Sequence, residues 1–513
     1  MSALPPGSTA ATITLSLISH TNVGKTTLAR TLLRQDIGEV ADRAHVTQFA
    51  EMHVLIETEG GERLRLADTP GFGDSARLLK RLRLAGNPIG WLLTQVWDRY
   101  TDRAFWGTQQ AVRNVREEAD LVLYLVSAAE DPMAAGYVAP EMEILGWIGK
   151  PVVVLLNQLG PPRARERDAR DESLWRSHLA RYAWVRDVLP FDAFARCWVQ
   201  EDTLLGRVEP WLAPSSREAF ARLRAAWRSR NLQTFAASIE TLVESLVETA
   251  LDHEPVIKRG WTDKTRAIVA SVVKGGDGAR EDDAAAVDAL ARRLDARLRS
   301  ATDKLIRLHG LSGKAAAEVL ARMQGQVDLS LPADVGKAGL VGGLVSGALG
   351  GLAADLAAGG ITLGAGALIG GLLGALGSGG AARALNLARG LETGTARWSG
   401  AFLSGRVESA LLRYLAVAHF GRGRGDYVES EYPAHWRGLV AEVLRPYADA
   451  LGESWLLTAR ANASNDMRDS IGLIVTEAAR AVLVRLYPEA EVLLADSSET
   501  PLSQAEGLGW GKR

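Results

Sequence analysis

The chain has 513 residues, 47% hydrophobic and 23% charged, with a net charge of −2. That length exceeds one ordinary core, so roughly two to four domains are expected, and the near-neutral balance excludes a global polybasic field for nucleic acid. The one cysteine, Cys197, excludes a disulfide framework and a cysteine metal cluster; it fits a reducing cytoplasm and reads as a packed small hydrophobe.

Residues 1–11 carry no basic n-region, so no signal peptide is expected. The β-branched run Thr12 to Ile18 reads as a first strand, and Leu28 to Leu33 is helix-like. Between them lies Ser19-His20-Thr21-Asn22-Val23-Gly24-Lys25-Thr26-Thr27. Strand, tight loop and helix form the context of a phosphate-binding P-loop. Backbone N–H groups and the helix N-terminus favour anions there. Gly24 permits close approach, Lys25 places a point charge between the β- and γ-phosphates, and Thr26 offers a hydroxyl to Mg²⁺. Ser19 stands where the consensus has its first glycine.

A polar, turn-rich stretch containing Thr47 follows. Residues 51–57 and 63–67 read as strands joined at Gly60-Gly61. The second ends in Asp68-Thr69-Pro70-Gly71-Phe72, where a carboxylate can hold Mg²⁺ through its water shell and the Gly71 N–H can meet a γ-phosphate. An insertion from Ser75 to Glu118 carries the stripe Ile89, Leu92, Leu93, Val96, Trp97, Tyr100 and Phe105. It reads as packing on its own domain in preference to a partner or membrane face. Continuous apolar strands at 120–126 and 151–156, with a helix at 140–148 between them, mark a parallel sheet covered on both faces. The alternating arginines and acids of 163–170 read as a solvated face, followed by a helix at 174–186 and a short strand at 188–191.

These motifs resemble the Era/TrmE-like branch of the P-loop GTPases over about residues 10–200, with Asn22-Val23-Gly24-Lys25-Thr26-Thr27-Leu28 and Asp68-Thr69-Pro70-Gly71 carrying the likeness. The resemblance implies a doubly wound, mostly parallel α/β G domain with GTP as substrate and Mg²⁺ as cofactor. It implies nucleotide contacts from Asn22, Val23, Gly24, Lys25, Thr26, Thr27, Gly71, Asn157 and Gln158, and metal contacts from Thr26, Asp68 and Thr47. Lys25, Thr47 and Asn22 would serve catalysis, and a G-domain homodimer is an implied partner. Thr47 would be the switch I threonine; a simple turn residue is its other reading. Asn22 would either shape the loop or help hold a K⁺ ion in the part of an arginine finger.

Two positions depart from that branch. Its base-reading motif is Asn-Lys-x-Asp, and here Asn157-Gln158-Leu159-Gly160 lacks the last carboxylate. Such a charge-assisted contact is worth about 1.5–3 kcal/mol per bond. Asn-Gln-x-Gly is similar to a bacterial subset bearing an uncharacterised C-terminal domain. Ras-type enzymes place a water-orienting glutamine where this chain has Phe72.

From about Glu201 the pattern predicts no further strands. Helices are expected at 215–228, 234–251, 282–309 and 313–323, then at 384–391, 402–418, 434–451 and 455–486. Glu240, Glu244 and Glu248 share a helical face and read as solvated acids, and the basic linker 421–425 as an exposed loop. Between Lys337 and Arg383 the only charge is Asp355, and Gly343, Gly347, Gly351 and Gly366, Gly370, Gly374 recur at fours. That spacing lets helices approach closely. The two runs lie at the edge of, and beyond, the roughly 20 residues that span a bilayer. The reading is a helical hairpin entering a membrane through 338–382, ahead of a hairpin buried in a soluble helical domain or a flexible linker.

The expected organisation is a G domain over 1–210, an all-α domain over 211–335 and 383–486, a glycine-zipper hairpin over 336–382 and a flexible tail over 487–513. The expected function is a slow, Mg²⁺-dependent GTPase switch in the cytoplasm, peripheral or integral at the inner membrane. An RNA- or ribosome-binding GTPase, or a structural nucleotide binder with negligible turnover, are the alternatives; no compact basic domain argues for nucleic acid.

Overall fold

The computed structural model describes residues 10–34, 50–94, 103–159, 165–193, 196–256, 278–311, 394–420, 433–459 and 463–495. Thr47, Gly160, the linker 421–425, the expected helices at 313–323 and 384–391 and the whole hairpin 336–382 lie outside them. Among the described residues no helix is long and apolar enough to cross a membrane.

The chain divides into two units: residues 1–233 with 418–427 and 487–513, and residues 234–417 with 428–486. The first unit holds a six-stranded sheet. Its strands are β1 (Thr12–Ser19), β2 (Glu51–Glu57), β3 (Arg63–Asp68), β4 (Leu121–Ser127), β5 (Val152–Asn157) and β6 (Val185–Pro190), in the order β2-β3-β1-β4-β5-β6. Every pairing is parallel except that of β2 with β3. β4 and β5 are buried along their full length, as centre strands covered on both faces must be.

The period-two alternation of side chains divides the core between the faces. Leu121, Leu123 and Leu125 pack with Ile13, Leu15 and Leu17 beneath α1 (Lys25–Leu33). On the other face Val122, Tyr124 and Val126 meet α2 (Ser75–Leu82), α3 (Pro88–Thr94), α4 (Arg103–Glu117), α5 (Val138–Ile148) and α6 (Arg165–Leu179). Ile89, Leu92 and Phe105 of the insertion are buried in this second cluster, so this part of its stripe packs on its own domain; Val96, Trp97 and Tyr100 lie outside the described residues. The helix expected at 174–186 instead ends at Leu179, and β6 begins at Val185. The apolar Tyr182, Trp184 and Val185 had extended the helical pattern into the strand.

On the first face, α7 (Trp198–Val208) and the beginning of α8 (Pro214–Leu251) complete the layer through Leu204, Leu205, Phe220, Leu223 and Trp227. α8 is one continuous helix where two were expected, because Arg228 to Gln233 contains no glycine or proline to stop it.

In the second unit, strands do not stop at Glu201. β7 (His253–Val256) pairs antiparallel with β8 (Gly394–Arg397). A four-residue strand containing proline, with a partner far away in sequence, leaves no alternating pattern to read. α9 (Gly278–Leu308) carries Arg293, which donates to Asp252 at 3.0 Å, and Lys304, which pairs with Glu244 at 3.1 Å. Glu244 and Glu248, expected as solvated acids, therefore sit beside Lys304 and Arg297. The helical set continues with α10 (Gly400–Ala418), α11 (Ala434–Leu444), α12 (Ala448–Leu456) and α13 (Ala463–Leu486). Pro446 interrupts the helix expected over 434–451 with a 3₁₀ turn. The stretch expected as a flexible tail begins, in the first unit, with α14 (Ala490–Ala495), which buries Ala490, Leu493 and Leu494.

Candidate functional site

The site grows from the end of β1. Gly24 adopts φ +95° at the start of α1, a left-handed conformation that glycine takes without penalty. Asn22 is also left-handed at φ 66°, which asparagine tolerates better than most residues. The turn thus uses Asn22 as a loop-shaping residue whatever else it does.

Lys25 is buried, and its Nζ donates to Ser19 Oγ at 2.9 Å. Ser19, in the place of the consensus glycine, is therefore a partner for the lysine; sequence reasoning had treated it only as a turn residue. Burial pushes the Lys25 pKa down to about 8, against the pull of Asp68 and Glu141. A buried cation held by one neutral hydroxyl suits a phosphate.

Thr26 and Asp68 meet: the Thr26 hydroxyl donates to Asp68 Oδ2 at 2.6 Å. Asp68 Oδ1 is buried with no hydrogen-bond partner. Burial raises the Asp68 pKa to about 6, opposed by the Thr26 hydrogen bond and the Lys25 charge. An orphaned buried carboxylate oxygen beside a threonine hydroxyl is the donor set of a hard, oxygen-seeking cation, so these residues fit Mg²⁺. Among the described residues no cluster of three or more His, Cys, Asp or Glu side chains could hold a metal by itself.

The Asp-Thr-Pro-Gly segment is fastened to the loop. Thr69 Oγ1 donates to Leu17 O at 2.6 Å, Phe72 N donates to Ser19 O at 2.9 Å, and His20 and Phe72 form a parallel bridge. A Cβ on Gly71 would lie 3.1 Å from Lys25 Nζ and from Thr21. Phe72 itself is fully buried.

The Asn157-Gln158-Leu159 stretch closes the other side. Asn157 is fully buried; its Nδ2 donates to Val23 O at 2.7 Å and its Oδ1 accepts from Ala193 N at 2.8 Å. The amide thus braces the loop from both of its polar atoms. Gln158, left-handed at φ 57°, reaches the Asn22 carbonyl at 3.5 Å. Leu159 N donates to Asp192 Oδ2 at 2.6 Å. Asp192 follows shortly after β6, where the sequence marks the end of a strand but no nucleotide-binding motif. The structure thus brings Asn22, Val23, Gly24, Lys25, Thr26, Asp68, Gly71, Asn157 and Gln158 together at one end of the sheet, while Thr47 lies outside the described residues. Thr27, on α1, is buried beneath the loop. Cys197 is buried and its thiol is pushed up to about 12, as expected of a packing residue.

A parallel sheet with this loop at its end defines the class: a P-loop GTPase domain carrying a helical extension. The profile described as "50S ribosome-binding GTPase" matches residues 14–158, and the "Domain of unknown function (DUF3482)" matches residues 176–471. The chain belongs to the family of that second domain, and its first domain matches the GTPase profile. No curated protein matches it. Among solved structures it is similar to Era in complex with MgGDPNP and a segment of 16S ribosomal RNA, with 17% identity over 40% of this chain and a TM-score of 0.29. The chain spans 58% of that Era chain. A variant of Aquifex aeolicus Era bound to GDP·AlF4⁻ gives 16% identity, 46% of this chain, 68% of that one and a TM-score of 0.29. Chloroplast translocon components whose dimerization is important for their GTPase activity give 14%, 37%, 72% and 0.23.

Proposed function

We propose that this protein is a Mg²⁺-dependent GTPase that turns over slowly and works as a nucleotide switch. The observation that carries the reading is the buried pair at the end of β1 and β3: Lys25 with its depressed pKa, and Asp68 with its orphaned oxygen beside Thr26. Burial outweighs the partial compensation that Lys25 and Asp68 give each other, and a phosphate–metal ligand would add to it for both. Thr26 and Asp68 would hold Mg²⁺, which when bound would neutralise charge on the β- and γ-phosphates. Lys25 and the N–H groups of Gly24 and Gly71 would bind and orient the phosphates. Asn157 would meet the purine, with a guanine preference weakened by Gly160. Slow turnover follows from Phe72, which has no polar group for water. Thr47 would complete the metal site as the switch I threonine, and Asn22 would favour K⁺ over Na⁺.

Nucleotide state would be passed to the helical domain, and through 338–382 to a membrane surface; the second step is supported by the glycine-zipper sequence alone. The test is equilibrium binding of GTP and ATP analogues to the full-length protein, with Mg²⁺ and with chelator, followed by turnover in K⁺ and in Na⁺. A modest, Mg²⁺-dependent GTP preference and measurable hydrolysis are expected. Equal or better ATP binding would sink the GTPase reading. Protein that never floats with liposomes in either nucleotide state would remove the membrane step and leave the switch intact.

A further inference from the structure

Phe72 stands where a water-orienting side chain would be expected, and it is fully buried in the apolar cluster with Ile18 and Tyr124. The residue whose backbone bridges to it is His20, inside the P-loop. His20 is not loosely held. Its Nδ1 lies 2.8 Å from Glu141 Oε1, and Glu141 is fully buried on α5. The second Glu141 oxygen accepts from the Tyr124 hydroxyl at 2.7 Å. The imidazole stacks on Tyr137, centroids 4.6 Å apart and planes 18° apart, while the Tyr137 hydroxyl donates to Glu130 at 2.8 Å. Among the described residues Nε2 has no protein partner, and the side chain is 32% exposed. A buried carboxylate therefore fixes one ring nitrogen and a tyrosine clamps the ring plane, while the other nitrogen has no partner among the described residues. That is the arrangement of a base with its orienting acid.

We propose that His20, held at Nδ1 by Glu141, positions the attacking water of GTP hydrolysis in place of the missing glutamine. The inference rests on the hydrolysis reading above. With Nδ1–H donated to Glu141, the Nε2 lone pair accepts a hydrogen bond from the water. The water oxygen bonds to the γ-phosphorus, and the bond from that phosphorus to the β,γ-bridging oxygen breaks. GDP leaves, and the water proton ends on the inorganic phosphate. The titratable groups around the ring are Glu141 on α5, Tyr124 on β4, Tyr137 and Glu130 in the segment between them, and Lys25 on α1. Burial raises the Glu141 pKa, and the His20 hydrogen bond opposes it.

The test uses full-length wild type, His20→Ala, His20→Gln and Glu141→Gln. Single-turnover GTP hydrolysis is measured beside GDPNP affinity and a thermal melt. His20→Ala is expected to lose on the order of 10²-fold in rate while its GDPNP affinity stays at the wild-type level. His20→Gln is expected to recover part of that rate, since an amide oxygen can also accept from water. Glu141→Gln is expected to slow turnover while its GDPNP affinity stays at the wild-type level. His20→Ala at the wild-type rate, or an affinity loss as large as the rate loss, would overturn the proposal while the GTPase reading survives. Wild type with no turnover at all would remove both.

Discussion

The Thr26 hydroxyl donates to one oxygen of Asp68 at 2.6 Å, and the other oxygen of that carboxylate is buried without a partner. Half of the carboxylate is satisfied by the protein and half is built for something else. Desolvation of the buried Asp68 outweighs the Thr26 hydrogen bond and the Lys25 charge and raises its pKa to about 6.

The first prediction follows from that sign. A carboxyl whose folded pKa lies above its unfolded value contributes stability that is fully present below about 3.8 and is lost as pH rises through about 6. At pH 7.5 the nucleotide-free fold therefore carries a cost of about 3 kcal/mol from this group, at 1.36 kcal/mol per unit. Asp68→Asn, which can still accept from Thr26, should raise the melting temperature of the nucleotide-free protein at pH 7.5, with a smaller gain at pH 5. It should also lose the Mg²⁺ dependence of nucleotide binding. A lower melting temperature at both pH values would show that the charge is already compensated.

Lys25 gives the complementary prediction. Its folded pKa is depressed to about 8, so its contribution is present above the unfolded value of 10.5 and lost as pH falls through about 8. At pH 7 the lysine is a cost in the empty site and a gain in the occupied one. Lys25→Met should leave the nucleotide-free melt unchanged or higher, and should abolish nucleotide binding in a titration with GDPNP and Mg²⁺. Unchanged affinity in that folded variant would mean the phosphates bind elsewhere.

The parts of this site that were legible in the sequence are the local ones. Thr12 to Ile18 announces a strand, Gly24-Lys25-Thr26 a turn into a helix, and Asp68 the end of the neighbouring strand. What escaped is long in sequence and short in space. Glu141 lies among the apolar residues of α5 and reads as an ordinary helix acid until the fold brings His20, 121 positions earlier, to 2.8 Å. Asp192 meets Leu159 only because β5 and β6 are neighbours. β7 and β8 were invisible for the same reason, each being four residues whose pattern has meaning only beside the other. Period and propensity report on a residue's own element; a partner across the sheet leaves no local trace.

Asn157 is predicted to hold the fold as well as the base. Its amide satisfies the Val23 carbonyl and the Ala193 N–H, both in a buried setting. Asn157→Ala would leave both groups unpaired, at about 1–3 kcal/mol each. Urea unfolding of the nucleotide-free protein should therefore show a loss of about 2–6 kcal/mol. An unchanged midpoint, with only nucleotide affinity reduced, would mean that Asn157 acts on the ligand alone.

The last prediction couples that amide to the loop glycine. Gly24 is left-handed at φ +95°, and a Cβ there would lie 2.7 Å from Asn157 Nδ2. Gly24→Ala thus meets two separate costs. One is backbone strain of about 1–2 kcal/mol, because an L side chain rarely adopts that φ. The other is the displacement of the Asn157 amide, with the two hydrogen bonds it makes. The second cost is already incurred in Asn157→Ala, where the shorter side chain leaves room for the new methyl. The two changes should therefore be non-additive: the double variant should be less destabilised than the sum of the singles, by about 1–2 kcal/mol, as neighbours sharing one contact are. Urea midpoints for the wild type, both singles and the double close the cycle. Strict additivity would mean that Gly24 is required for its φ alone and that the Asn157 amide can move aside without loss.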